Sequence, residues 1–335
     1  MPVNELHDTP TRRADAFARP GELRGTTALS GSPAAKGVTA VLEKTLTRTV
    51  PREYVHRSAV AEVLLTGWRT QDEGHFVLQA QWPRCHTFYD ADSVGGHDPL
   101  LIAETIRQSG LLVAHAELGV PMGHQFLMHD LSFTARPDRM LVGGAPTDLT
   151  VEFRCAEVKR RRTALSWMRY ETVLRRNGET IATGGASFTC VTAQVYRRMR
   201  GDRMNARALP LPRPVEPAGV GRQSALDVVL SPAGAYGRWQ LRVDVRHPVL
   251  FDHPIDHIPG MVLMEAARQA TVAVLDRPAP VVLAIAGTYD RFAELDLPCV
   301  IEAYPPPGTS GRAGGTVRVT GSQDGRPVFS AQVTV

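Results

Sequence analysis

The sequence predicts an α+β fold built twice in one chain, each copy setting a buried helix against an antiparallel run of strands. Three observations carry this. Two apolar stretches 161 residues apart hold the same polar triplet, E-x-x-R-Q, as Glu104, Arg107, Gln108 and as Glu265, Arg268, Gln269. Segments rich in Val, Thr and aromatic residues follow each stretch. Each series closes on a hairpin signal, Asn177-Gly178 in the first and Asp324-Gly325 in the second.

The helices come first. Asp98 is placed to cap one and Pro99 suits its first turn, while Gly119 with Pro121 beyond it provides a stop. Leu100, Leu101, Ile102, Ile106, Leu111, Leu112 and Val113 surround this helix with apolar groups, the mark of a buried helix. Pro259 opens the second. Strands are expected over 148–159, 164–176 and 179–191 in the first copy. In the second they are expected over 281–286, 299–304, 315–321 and 327–335. The stretch 201–220 carries Pro210, Pro212, Pro214 and Pro217 and reads as a linker. The expected organisation is thus a poorly ordered lead-in over 1–49, a first domain over 50–200, and a second over 221–335.

At 335 residues the chain is long enough for two cores, and 43% apolar with 21% charged residues is a globular composition. No apolar run is long enough to cross a bilayer, and the first fifty residues lack the hydrophobic region of a secretory signal, so a cytoplasmic location is expected. Cys85, Cys155, Cys190 and Cys299 form no C-x-x-C pair and are expected to be reduced. The net charge of +4 is partly clustered, at 159–162 and at Arg197-Arg198. No nucleic-acid-binding motif accompanies these runs, so they are expected to face solvent or an acidic partner protein.

Glu104, Arg107 and Gln108 stand at i, i+3 and i+4 and share a helical face, as do Glu265, Arg268 and Gln269. Charged groups in an apolar helix are either a structural ion pair or part of a site. The second constellation is Phe251-Asp252-His253-Pro254-Ile255-Asp256-His257, just ahead of the second helix. Pro254 between the two histidines argues against a helical metal site, and no metal is expected.

This constellation resembles the bacterial fatty-acid dehydratases of the hotdog fold, whose motif runs H-F-P-G…P-G-V-L…E-A…Q. Asp252-His253-Pro254 and the run from Pro259 to Ala266 are similar to it, with a loop two residues shorter. There a loop histidine and a helix acid form the catalytic pair, to which His253 and Glu265 would correspond.

A closer resemblance covers residues 50–335. Val50-Pro51-Arg52-Glu53-Tyr54-Val55-His56, Ala80-Gln81-Trp82-Pro83-Arg84, Pro99 through Gln108 and Phe251 through Gln269 resemble the A-factor-type γ-butyrolactone biosynthesis proteins. That resemblance implies a tandem hotdog fold, each half an antiparallel sheet wrapped around a central helix. It implies transfer of a β-ketoacyl group from acyl carrier protein to dihydroxyacetone phosphate, with no cofactor, on the way to a butyrolactone or related furan signal. It also implies Glu104, Glu265 and Arg268 as catalytic groups, with Arg107, Gln108, His253 and Gln269 in substrate binding.

Chemically, Glu104 or Glu265, raised in pKa by apolar surroundings, would take the hydroxyl proton, and Arg268 would grip the phosphate. Two other readings stay open: a β-hydroxyacyl dehydratase or hydratase using His253 with Glu265, and a non-catalytic regulator binding an acyl ligand. The internal pair already supplies what single hotdog chains obtain by dimerising, and a further homodimer is neither required nor excluded.

Overall fold

Each apolar stretch forms one long helix against a curved antiparallel sheet. The computed structural model describes residues 48–90, 95–275, 280–305 and 315–335, all within one compact unit, Lys44–Val335. The lead-in expected over 1–49 lies outside the described residues as far as residue 47.

The first half runs β1 (Leu65–Asp72), β2 (His75–Trp82), α1 (Leu100–Ala116), β3 (Gln125–Ala135), β4 (Thr147–Arg161), β5 (Ala164–Arg176), β6 (Glu179–Val191) and a short α2 (Ala193–Arg200). The second runs β7 (Leu230–Pro232), β8 (Arg238–Leu241), α3 (Gly260–Leu275), β9 (Ala284–Tyr289), β10 (Val300–Tyr304), β11 (Thr316–Gln323) and β12 (Arg326–Thr334). The strand order is β1-β2-β4-β5-β6-β3-β9-β12-β11-β10-β8-β7. Read from either edge the order is the same, so the halves are related by a pseudo-twofold axis at the β3–β9 seam. There Asp130 to Thr134 pair antiparallel with Thr288 to Ala284. This is the tandem hotdog architecture, one continuous sheet serving both helices.

Local chemistry explains the elements. Asn177 and Gly178 take positive φ of 52° and 82°, Asp324 and Gly325 of 50° and 70°, as two-residue hairpins require. The carboxylate of Asp98 accepts from the Leu100 amide at 2.8 Å and starts α1. Val120 N donates to Ala114 O across Gly119 (φ 71°), which stops it. Nearly every side chain of α1 is buried. Its few polar groups bond locally: Trp82 Nε1 donates to Thr105 Oγ1, and Thr105 Oγ1 to Leu101 O. Gly110 lets the helix lie directly on Tyr170, because a Cβ there would sit 2.5 Å from the ring.

The basic run at 159–162 is exposed at the tip of the β4–β5 hairpin. The four cysteines are free. Burial pushes the Cys155, Cys190 and Cys299 thiols up to about 11, 12 and 12, which makes them poor nucleophiles. Among the described residues no helix is long and apolar enough to cross a membrane.

Candidate active site

The E-x-x-R-Q triplet builds the same buried ion pair in each half. Arg107 Nε and Nη2 donate to the two Glu104 oxygens at 2.9 and 2.8 Å, and Gln108 Nε2 donates to Oε1 at 2.6 Å. A second arginine arrives from upstream, Arg57, whose Nε donates to Glu104 Oε1 at 3.0 Å. In the second half Arg268 and Gln269 donate to Glu265, and Arg222 completes the set at 2.8 Å. The glutamines also clasp backbone: Gln108 bonds Leu64 N and Glu62 O, and Gln269 bonds Val229 N and Asp227 O.

Glu104 is 1% exposed and Glu265 not at all. Burial alone would raise their carboxyls, but two guanidiniums apiece outweigh it and hold both down at about 2. The sequence-based expectation of raised carboxyls is therefore reversed. The apolar helix supplies the desolvation; arginines outside the triplet supply the larger opposing effect. Both oxygens of each carboxylate already accept from these donors, so neither acid is placed to take a substrate proton.

The two added arginines also tie the halves together. Arg57 Nη1 donates across the pseudo-twofold to Val249 O at 3.1 Å, and Arg222 Nη1 donates back to Phe88 O at 2.6 Å. His86 and His247 brace these two segments in the same way, each Nδ1 accepting from the backbone amides two and three residues on.

A cavity of about 400 Å³ opens between the halves. Its lining carries cationic and imidazole groups, Arg107, Arg291, His56 and His129, together with the loop from Phe251 to Pro259 and the first residues of α3, Gly260 and Met261. Leu111, Phe126, Phe188, Leu250 and Leu263 give it an apolar interior. On the loop, His253 Nδ1 lies 3.3 Å from Asp252 Oδ2, and Asp252 accepts from the amides of Ser58 and Ala59 in the first half. Burial would raise the Asp252 carboxyl, but those amides hold it low.

Asp256 bonds Tyr196, His257 and Arg200 together. Arg200 is buried, reaches Glu294 with both Nη atoms, and stacks on Phe292 at 4.3 Å. The end of the first half is thereby pinned to the cavity wall.

The sequence matches the family described as the A-factor biosynthesis hotdog domain over residues 38–192 and again over 204–335. The chain belongs to this family. Among its relatives, a protein of Streptomyces virginiae described as a 2-oxo-3-(phosphooxy)propyl 3-oxoalkanoate synthase is 51% identical over 86% of this chain and 98% of its own. A protein of Streptomyces coelicolor with the same description is 44% identical over 84% and 89%. Among solved structures, the 12:0-ACP thioesterase from Umbellularia californica aligns at TM-score 0.48 and 11% identity, covering 77% of this chain and 93% of that one.

Within this hotdog pair the expected site residues divide. Arg107 and His253 line the cavity. Glu104 and Gln108 lie directly behind Arg107 and orient it. Glu265, Arg268 and Gln269 form the matching cluster in the other half and do not line this cavity. A dehydratase pair of His253 with Glu265 is therefore not assembled. Glu265 is enclosed by Arg222, Arg268 and Gln269, while His253 faces the cavity with Asp252.

Sequence reasoning missed Arg57 and Arg222, which complete the ion pairs, and His56, His115, Tyr196 and Arg291. The signal for the first two was faint: Val55-His56-Arg57 and Val220-Gly221-Arg222 are a second repeat, offset by 165 rather than 161 residues. Among the described residues no group of three His, Cys, Asp or Glu side chains is arranged to hold a metal.

Proposed function

We propose that this chain transfers a 3-oxoacyl group from a carrier-protein thioester to a hydroxyl of dihydroxyacetone phosphate, forming 2-oxo-3-(phosphooxy)propyl 3-oxoalkanoate. The supporting observation is the cavity at the seam, which combines cationic groups with an apolar interior, in a chain 51% identical to a synthase of that description. Arg107 is held by Glu104 through Nε and Nη2, which leaves Nη1 without a hydrogen-bond partner among the described residues. Arg291 lines the same cavity, and two guanidiniums there suit a phosphate dianion. The aromatic and aliphatic interior suits the acyl chain.

Attack of the hydroxyl oxygen on the thioester carbonyl carbon forms a tetrahedral oxyanion. The first amides of a helix have no intrahelical partners, and Gly260 and Met261 place those of α3 on the wall. Gly260 lets the Tyr289 ring pack closely on the start of this helix, a Cβ there meeting the ring at 3.1 Å. Collapse breaks the C–S bond and releases the carrier thiol. Glu104 and Glu265 act in this reading through the arginines they anchor, and His253 with Asp252 binds substrate near the cavity mouth.

The test is free thiol measured on mixing the protein with a 3-oxoacyl carrier protein and dihydroxyacetone phosphate. Release that requires the triose phosphate, with the mass of the phosphorylated ester appearing in step, is expected. Release at the same rate with water alone would make the protein a thioesterase and remove the proposal.

A further inference from the structure

Two turns related by the pseudo-twofold differ in one residue. The helical turn Arg52–Val55 ends at His56 with φ 52° and ψ 52°. Its counterpart, Pro217–Val220, ends at Gly221 with φ 70° and ψ 31°. Left-handed backbone costs glycine little and a branched ring more, of order 1 kcal/mol. The second half uses the residue this conformation favours. The first half places histidine there, on the cavity wall. Strain retained at a cavity is a pointer to function.

The protonation state of that ring follows from its bonds. His115 Nδ1 lies 2.7 Å from Val120 O, which can only accept, so His115 carries its proton on Nδ1. His115 Nε2 is then the acceptor in the 2.9 Å contact with His56 Nε2, and His56 carries its own proton on Nε2. The remaining nitrogen, His56 Nδ1, is an open lone pair with no bond to any described residue. Burial, with His115, Arg107 and His253 acting in the same direction, lowers the ring to about 3 and keeps it in this neutral form.

We propose that His56 is the catalytic proton acceptor of the acyl transfer, working through Nδ1, with His115 as the positioning residue that fixes its tautomer. This rests on the acyltransferase reading above. As the triose hydroxyl oxygen bonds to the thioester carbon, its proton passes to Nδ1. When the C–S bond breaks, the electron pair leaves with sulfur, and the proton moves from Nδ1 to the thiolate. Free thiol and neutral His56 remain. Burial is the largest cause of that lowering; a phosphate dianion beside Arg107 opposes the Arg107 contribution and so shifts the ring toward greater basicity. Gly221 has no such group, so the related position in the second half lacks the proton acceptor.

His56→Gly, the residue of the sister turn, keeps the backbone at ease and removes only the imidazole. Expected are thermal unfolding within a few degrees of the wild type, a fall in triose-dependent turnover of at least about 100-fold, and recovery of turnover by free imidazole. His56→Asn, which also tolerates positive φ, takes its place if the glycine variant does not fold. His115→Phe should lower kcat with little change in KM for the triose phosphate. Wild-type turnover in the His56 variants overturns the assignment, as does a loss that imidazole does not restore, or rescue seen at His253→Gly instead. Failure of the wild-type protein to transfer at all overturns the parent reading, a separate result.

Discussion

Arg107 and Arg268 occupy the same helical position in the two halves, and each is held by a buried glutamate three residues earlier. Only Arg107 meets the cavity, and Arg291 joins it there from the exposed segment after β9. In the proposed reading the phosphate grip expected of Arg268 falls to its counterpart. Losing a charged hydrogen bond to phosphate costs about 1.5–3 kcal/mol. Arg291→Ala should raise KM for dihydroxyacetone phosphate roughly 10-fold or more, with a smaller effect on the acyl thioester. Because Arg291 is exposed and anchors no buried acid, stability should not change. Steady-state kinetics on both substrates checks this; an equal effect on the two would remove Arg291 from the phosphate site.

At the scale of elements, α1 sits unusually close to its sheet. Tyr170 lies under Gly110 and donates its hydroxyl to Ile106 O at 2.8 Å, and Gly184 on β6 passes so near that a Cβ would meet Ile106 Cδ1 at 2.6 Å. Gly110→Ala adds one methyl group into the ring of a buried tyrosine and should cost about 1–3 kcal/mol, despite alanine's better helix propensity. Thermal denaturation decides the sign, and a stabilised variant would contradict the packing described.

Helices and hairpins were legible from the sequence because their signals are local. Asp98, Gly119, Pro259, Asn177-Gly178 and Asp324-Gly325 each act within a few residues of their own position. β1, β2, β3, β7 and β8 were not read. β7 and β8 have only three and four residues, and β1 and β3 alternate poorly between buried and exposed. The carboxylate environment was misread for a related reason. Arg57 and Arg222 lie 47 and 43 residues before the acids they neutralise, beyond any helical spacing.

The whole molecule is held across its pseudo-twofold by charge as well as by the β3–β9 ladder. Glu104 and Glu265 sit at about 2 when folded against a usual 4.5. Their contribution is present above pH 4.5 and is lost as pH falls toward 2. His56 works in a higher window. Held at about 3 when folded and at 6.5 when free, it binds a proton first in the unfolded chain, so stability declines as pH drops below 6.5. Denaturant unfolding across this range should show a shallow loss from pH 6.5 and a steeper one below 4.5. His56→Gly should reduce the shallow part. Stability that is flat down to pH 3 would contradict the buried pairs.

A crystal structure of the protein with dihydroxyacetone phosphate bound addresses the location of the chemistry without relying on rates. The phosphate should lie within hydrogen-bonding distance of Arg107 Nη1 and near Arg291, with the triose hydroxyl directed to His56 Nδ1. A phosphate resting on Arg268 in the second half, or outside the seam cavity, would contradict the account.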